Sequence, residues 1–270
     1  MNAPKILTLG GLVVILVLLA LLFSSWLSGG ISPTENRDTL YQLSTIDALQ
    51  QGVFDGIQPV GEIKKHGDFG IGTFNALDGE MIVLEGIVYQ AASDGSVVIV
   101  PDTITTPYTI VTFYREDFSL TAEEAMNFST FSKVTGTYLP TENMVYAVRI
   151  HGMFPLMKVR SVPPQQKPYP TLSEAVENQS VFEYTDISGW VVGTFTPSFF
   201  EGINIDGYHL HFISDDRQKG GHILDFTVPA GAVIGYDITP DFTLVLPTSG
   251  DFTTVDLSED LSGQLIGVEH

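Results

Sequence analysis

Three of the six histidines in this 270-residue chain stand close together, His209 and His211 separated by one residue and His222 following a polar stretch. Three imidazoles sharing one point would hold a catalytic zinc ion and leave its fourth position for water or substrate. The surrounding sequence, DGYHLHFISDDRQKGGHILDF over 206–226, indicates how they could converge. Its alternation makes a strand of Ile205 to Ile213, so His209 and His211 project from one face. A polar loop from Ser214 to Gly221, turning near Arg217, then returns the chain as a hairpin. That sets His222 opposite or diagonal to His211, where Cβ atoms of paired strands lie roughly 5–8 Å apart. A lone histidine is more often a surface or satisfied core residue, and His66, His151 and His270 show no such grouping.

Composition narrows the chemistry further. With 44% hydrophobic and 16% charged residues, the chain can build one large or two modest domains with real cores. Twelve Lys plus Arg against thirty-two Asp plus Glu give a net charge of −20, which repels phosphate backbones and makes nucleic acid an unsuitable partner. No cysteine is present, so disulfides, thiolate ligands and a cysteine nucleophile are excluded, and any metal must be held by His, Asp or Glu.

The elements that must position the histidines follow a segment of a different kind. Residues 6–27, ILTLGGLVVILVLLALLFSSWL, carry no charge, and about twenty apolar residues cross a bilayer as a helix. Residues 1–30 therefore read as a secretory signal cut near Ser28-Gly29-Gly30 or as an uncleaved membrane anchor, with Lys5 on the cytoplasmic side. Either way the remainder is expected to be exported, with 31–37 as a polar tether and membrane contact only through the N-terminal segment.

Beyond the tether, Leu40, Leu43, Ile46 and Leu49 at three-residue spacing predict a helix over Asp38 to Gln51. Strands are expected at MIVLEGIVYQ, SVVIVP, YTIVTFY, FSKVTGTYL, MVYAVRIHG and LMKVRSV, with a helix at Thr121 to Phe128. The stretch PPQQKPYP, 163–170, reads as a domain boundary. The pattern then restarts with a helix at Thr171 to Glu177 and strands ISGWVVGTF, INIDGYHLHFIS, GHILDFTV and FTLVLP. Short echoes support the restart: Val53-Phe54-Asp55 with Val181-Phe182-Glu183, Gly72-Thr73-Phe74 with Gly193-Thr194-Phe195, and Leu84-Glu85-Gly86 with Ile205-Asp206-Gly207. The expected fold is α+β, two related domains on mixed β-sheets with a few helices, after an N-terminal hydrophobic helix. The domains would span 38–165 and 166–270, the second carrying the histidines.

The segment HLHFISDDRQKGGHILDF resembles the zinc-binding segment of the α-acetolactate decarboxylase family, including the spacing of all three ligands. The likeness extends to HGDFGIGTFNALDGEMIVLEGIVYQ and YAVRIHGMFPLMKVRSVPPQQKPYP, and covers essentially the whole chain after the tether. It implies two mixed-sheet α+β domains, a homodimer, Zn2+ on His209, His211 and His222, and conversion of (S)-2-acetolactate to (R)-acetoin and carbon dioxide in acetoin and butanediol biosynthesis. The family's substrate arginine matches Arg160 in Lys158-Val159-Arg160-Ser161-Val162-Pro163, with Arg149 as the rival. Its two glutamates match Glu80 in Leu77-Asp78-Gly79-Glu80-Met81 and Glu269 in Ile266-Gly267-Val268-Glu269; which one delivers a proton stays open, and Glu85, on the opposite strand face, reads as structural. Two other readings stand beside this. One is a cupin-like metal enzyme acting on another small oxo-acid, although Ser214, Asp215 and Asp216 occupy the place of the expected glutamate. The other is an exported binding module without catalysis.

Overall fold

Short apolar runs, many of them ended by a left-handed or proline-containing turn, leave little room for long helices, and strands dominate. The structure is a computed structural model that describes residues 38–258. The hydrophobic segment 1–30, the tether 31–37, Glu269 and His270 lie outside the described residues. Among the described residues no helix is long and apolar enough to cross a membrane.

The chain runs through β1 (Thr39–Leu43), α1 (Ile46–Gln50), β2 (Gln58–Pro59), α2 (Val60–Ile63), β3 (Phe69–Thr73), β4 (Glu80–Leu84), β5 (Ile87–Ala91), β6 (Val97–Ile99), β7 (Thr105–Thr106) and β8 (Thr109–Thr112). It continues through β9 (Phe118–Thr121), β10 (Met126–Asn127), α3 (Phe128–Gly136), β11 (Tyr146–Ser161) and α4 (Leu172–Val176). Last come β12 (Ser180–Thr196), β13 (Gly207–Ser214), β14 (Gly220–Val228), β15 (Val233–Ile238) and β16 (Asp241–Val245).

Two seven-stranded sheets result, so the chain is α+β with few helices. The first has the order β16-β1-β8-β3-β4-β5-β6 and is mixed because β16 runs parallel to β1. The second has the order β10-β14-β13-β12-β11-β15-β9. Along one edge β11 pairs with β15 over Tyr146–Ile150 and with β14 over Met157–Arg160, while β12 follows its other edge. Strands β11 to β14 thereby close into a ring. Alternate residues Tyr208, Leu210 and Phe212 of β13 point into it and join Phe131, Phe154 and Phe226 in its core. Burying each such side chain contributes about 1.5–3 kcal/mol. The outward residues Ala147, Val192 and Ile213 instead pack on Phe69, Ile71, Ile82 and Leu84 of the first sheet.

Several expectations are corrected. Asp38 to Gln51 is not one helix but β1 followed by α1, because β1 is hydrogen-bonded on both edges and Ser44 turns the chain at φ 64°. A strand covered on both faces carries leucines without alternation, which imitates helical spacing. The helix expected at Thr121 to Phe128 begins where it was to end. Asn127 caps α3 by accepting the Thr130 N–H, and the stretch expected as strand FSKVTGTYL mostly belongs to that helix. Phe131 and Thr135 bury against the ring, whereas Glu123 and Glu124 are exposed. MVYAVRIHG and LMKVRSV form one strand, and β15 was not anticipated. The helix expected at Thr171 holds as α4, with a capping box between Thr171 and Glu174. The sheets part between β8 and β9 rather than at 163–170, which joins strands of the same ring, and β16 returns to the first sheet. Of the echoes, Gly72-Thr73-Phe74 and Gly193-Thr194-Phe195 occupy like places, each ending a strand shortly before a 3-10 turn.

The chain crosses between the sheets beside Asp237, which is fully buried and accepts the Arg115 backbone N–H at 3.0 Å. Burial first, then the neighbouring Asp117 and Asp38 charges, pushes its pKa up to about 7. In the unfolded chain an aspartate titrates near about 3.9, so the stability gained from the neutral carboxyl is complete below that pH and lost as pH rises through 7. Asp237→Asn keeps the neutral form at every pH and is expected to flatten the decline in Tm from roughly pH 5 to 8. Thermal melts across that range check it; a decline as steep as in the parent chain would remove Asp237 as its cause.

Candidate metal centre

Strand register assembles the three histidines. His209 and His211 alternate with the ring-facing Tyr208, Leu210 and Phe212, so both imidazoles leave the ring toward the first sheet. In the hairpin, His222 of β14 lies directly opposite His211 of β13. Arg217, at φ 59°, makes the turn that sets this register. The three rings sit with centroids 5.1 to 5.3 Å apart, and each residue offers a nitrogen within 4.8 Å of the others. All are buried, with exposures of 7%, 1% and 2% for His209, His211 and His222. At Gly193, across from Leu210, an added Cβ would come 2.0 Å from the His209 carbonyl oxygen, so this close approach of β12 to the ligand strand requires glycine.

The first sheet supplies the other half. The Met81 carbonyl accepts the Nδ1–H of His211 at 2.8 Å, which fixes the tautomer and presents Nε2 as the free lone pair. Nε2 is buried and has no hydrogen-bond partner in the protein; its nearest ion-pairing group is Glu80 Oε2 at 3.7 Å. Burial, with a smaller contribution from the Arg160 charge and against the Met81 bond, holds the His211 pKa down at about 3. The ring is therefore neutral at ordinary pH, as a metal ligand must be.

Glu80 opens β4 after a tight passage in which Ala76, Leu77 and Gly79 all have positive φ. Gly79 is further constrained because a Cβ there would meet the Ala91 carbonyl at 2.6 Å. Thr73, paired with Glu80, donates its hydroxyl to the Gly79 carbonyl at 2.8 Å and pins the turn. Arg160 stands opposite His222 on β11, 4% exposed, and its Nη1 donates to Glu80 Oε1 at 3.4 Å. One pocket is thus lined by His209, His211, His222, Glu80, Arg160 and Thr73, closed on its apolar side by Ile46, Leu49, Leu77 and Leu172.

Five of the six expected site residues come together, and Glu269 lies outside the described residues. Arg149 is elsewhere: it pairs with Glu116 at 3.7 Å and covers the Tyr114 ring at 4.3 Å. Glu85, at φ 53°, forms the β4–β5 turn with Gly86. His66 stacks on Tyr41, and His151 pairs with Asp215 and stacks on Trp190. Sequence reasoning missed Thr73, Tyr108 and the apolar wall; the repeated Gly-Thr-Phe was the available signal for Thr73.

The residues fit a divalent metal. Three imidazole nitrogens with no thiolate suit zinc and its neighbours in the first transition row. The buried Nε2 of His211, oriented by the Met81 carbonyl, has the ligand-plus-outer-partner arrangement of such sites. Among the described residues this is the one group of three or more His, Asp or Glu side chains able to share an ion.

Comparison with known proteins bears on the family. The sequence pattern of the alpha-acetolactate decarboxylase family matches residues 40–259. The alpha-acetolactate decarboxylase of Methanosarcina mazei is 47% identical over 232 residues, covering 86% of this chain and 80% of that protein. The Bacillus licheniformis protein of the same name is 37% identical over 241 residues, covering 88% of this chain and 95% of its own length. The crystal structure of alpha-acetolactate decarboxylase from Bacillus subtilis strain 168 superposes with a TM-score of 0.83 at 37% identity, covering 86% of this chain and 99% of that one. The cupin-like reading has no place beside these matches, and the chain belongs to the α-acetolactate decarboxylase family.

Proposed function

We propose that the chain performs the zinc-dependent decarboxylation of (S)-2-acetolactate to (R)-acetoin and carbon dioxide. The carrying observation is the meeting of three buried imidazoles, Glu80 and Arg160 in one pocket. Loss of carbon dioxide breaks the bond between C2 and the carboxyl carbon and leaves an enediolate, whose negative charge is the barrier. Zinc on His209, His211 and His222 would supply Lewis-acid stabilisation of that charge. Arg160 is suited to hold the departing carboxylate through two parallel hydrogen bonds, and its burial makes them strong. Glu80, beside Arg160 and His211, is placed to handle the proton that enters at C2. Glu269, in the C-terminal tail, is the second glutamate of the reading. The same reading makes the protein a homodimer, exported with residues 6–27 as signal or anchor.

Metal analysis joined to a carbon dioxide release assay on acetolactate tests the core of it. His209→Ala combined with His222→Ala is expected to abolish bound zinc and lower turnover by about 10²-fold or more; zinc and turnover both retained would refute the ligand set. Glu80→Gln should lower kcat by about 10²- to 10⁴-fold with metal retained. Arg160→Lys should act mainly on KM, roughly tenfold, because an ammonium cannot form the paired bonds. A chain ending at Ile266 should lose most of its activity while still binding zinc; full activity in that variant would remove Glu269 from the chemistry.

A further inference from the structure

The polar groups of the pocket answer only half of the substrate. Arg160, Glu80 and a metal on the imidazoles account for a carboxylate, a hydroxyl and a ketone, which leaves two alkyl groups. Besides Gly72, Thr73 and Tyr108, the remaining lining is apolar and comes mainly from the two short helices, Ile46 and Leu49 on α1 and Leu172 on α4, with Leu77 from the turn before Glu80. All four are buried, at 1%, 7%, 3% and 4% exposure in that order. The helices pack against one another and share one apolar cluster with Leu40 and Phe54.

Neither helix is long enough to be stable alone. Each is fixed at its start by a threonine, Thr45 accepting from Ala48 N–H and Thr171 from Glu174 N–H. A capped helix five residues long presents its apolar side chains at a fixed depth. Packed in one buried cluster, the wall leaves a space set by the size of its side chains. Both helices stand in the corresponding place of the two halves echoed in the sequence, each ahead of a Val-Phe-acid triplet.

We propose that Leu49 and Leu172 set which 2-hydroxy-3-oxo acids the enzyme accepts, by limiting the length of the alkyl groups on C2 and on the acyl side. The proposal rests on the decarboxylase reading above. Removing part of a leucine from such a wall opens room for about one or two methylenes, and one methylene in an apolar pocket changes discrimination roughly 10- to 200-fold.

The test compares kcat/KM of the zinc-loaded full chain on three substrates: 2-acetolactate, its homologue with ethyl in place of the C2 methyl, and its homologue with a propanoyl in place of the acetyl group. Leu49→Ala and Leu172→Ala are each expected to raise the ratio of at least one homologue to acetolactate by about tenfold, chiefly through KM. The homologue that gains identifies the end of the substrate facing the wall. Leu49→Val and Leu172→Val give smaller shifts in the same direction and serve where the alanine variants melt too low to assay. Leu40→Ala, in the same cluster but outside the lining, should leave the ratio unchanged. If all substrates fall in equal proportion in the Leu49 and Leu172 variants, or if Leu40→Ala shifts the ratio equally, the wall has no selective role. If the parent chain releases no carbon dioxide from any of the three, the decarboxylase reading itself fails.

Discussion

The register between β13 and β14 is the constraint on which the site depends. Pairing His211 with His222 fixes two ligands across a hydrogen-bonded ladder, and strand alternation adds His209 two residues away on the same face. A slip of one residue would send both β13 imidazoles into the ring core and bring Leu210 and Phe212 out. The ring core forbids that slip, because the aromatic cluster around Phe131, Phe154 and Phe226 has room only for the apolar set. Hydrophobic burial on one face of β13 thus holds polar chemistry in place on the other. Arg160 inherits its position from the same ladder, since β11 closes the ring against β14 and sets the guanidinium opposite His222.

The ring alone would not make a metal centre. His211 needs the Met81 carbonyl to hold its tautomer, and Glu80 arrives from the strand that carries Met81. Neighbouring groups on β4 therefore reach the ligands by backbone and by side chain. The fit between the two bodies is close: Gly220 leaves its Cβ position 3.3 Å from Ala91, and Ser161 donates its hydroxyl to the Ala91 carbonyl at 2.8 Å. Glu80, Arg160 and the three imidazoles are all buried, which lowers the local dielectric and strengthens charge interactions at the site.

The convergence of the three histidines was legible in the sequence because it is local. Period-two alternation, a short polar loop and a returning strand lie within one hairpin, and each has its own residue signature. Arg160 and Glu80 were reached only through family resemblance, since their places depend on pairings between β11 and β14 and between β3 and β4, which spacing does not encode. The failures also have physical causes. Leu40 and Leu43 belong to a strand buried on both faces, where the expected alternation vanishes, and Phe128–Gly136 contains Val and Thr, which read as strand until burial of Phe131 and the Asn127 cap outweigh propensity. The restart after 163–170 was real as pattern but misleading as boundary, because β11 before it and β12 after it are partners along nearly their full length.

Electrostatics explains how so acidic a protein can receive an anionic substrate. The formal charge of −20 is spread over a surface where solvent and salt screen it within about 8–10 Å. Inside the pocket, Arg160 is the one basic side chain besides the imidazoles among the described lining residues, and it already faces Glu80. Without a metal, the carboxylate of a substrate would compete with Glu80 for a single cation. A divalent ion held by the three histidines would change that balance, adding two positive charges beside a His211 ring that stays neutral. The depressed pKa of His211 suits such an arrangement: an uncharged imidazole would leave the ion, rather than a protonated histidine, to supply the field the anion meets.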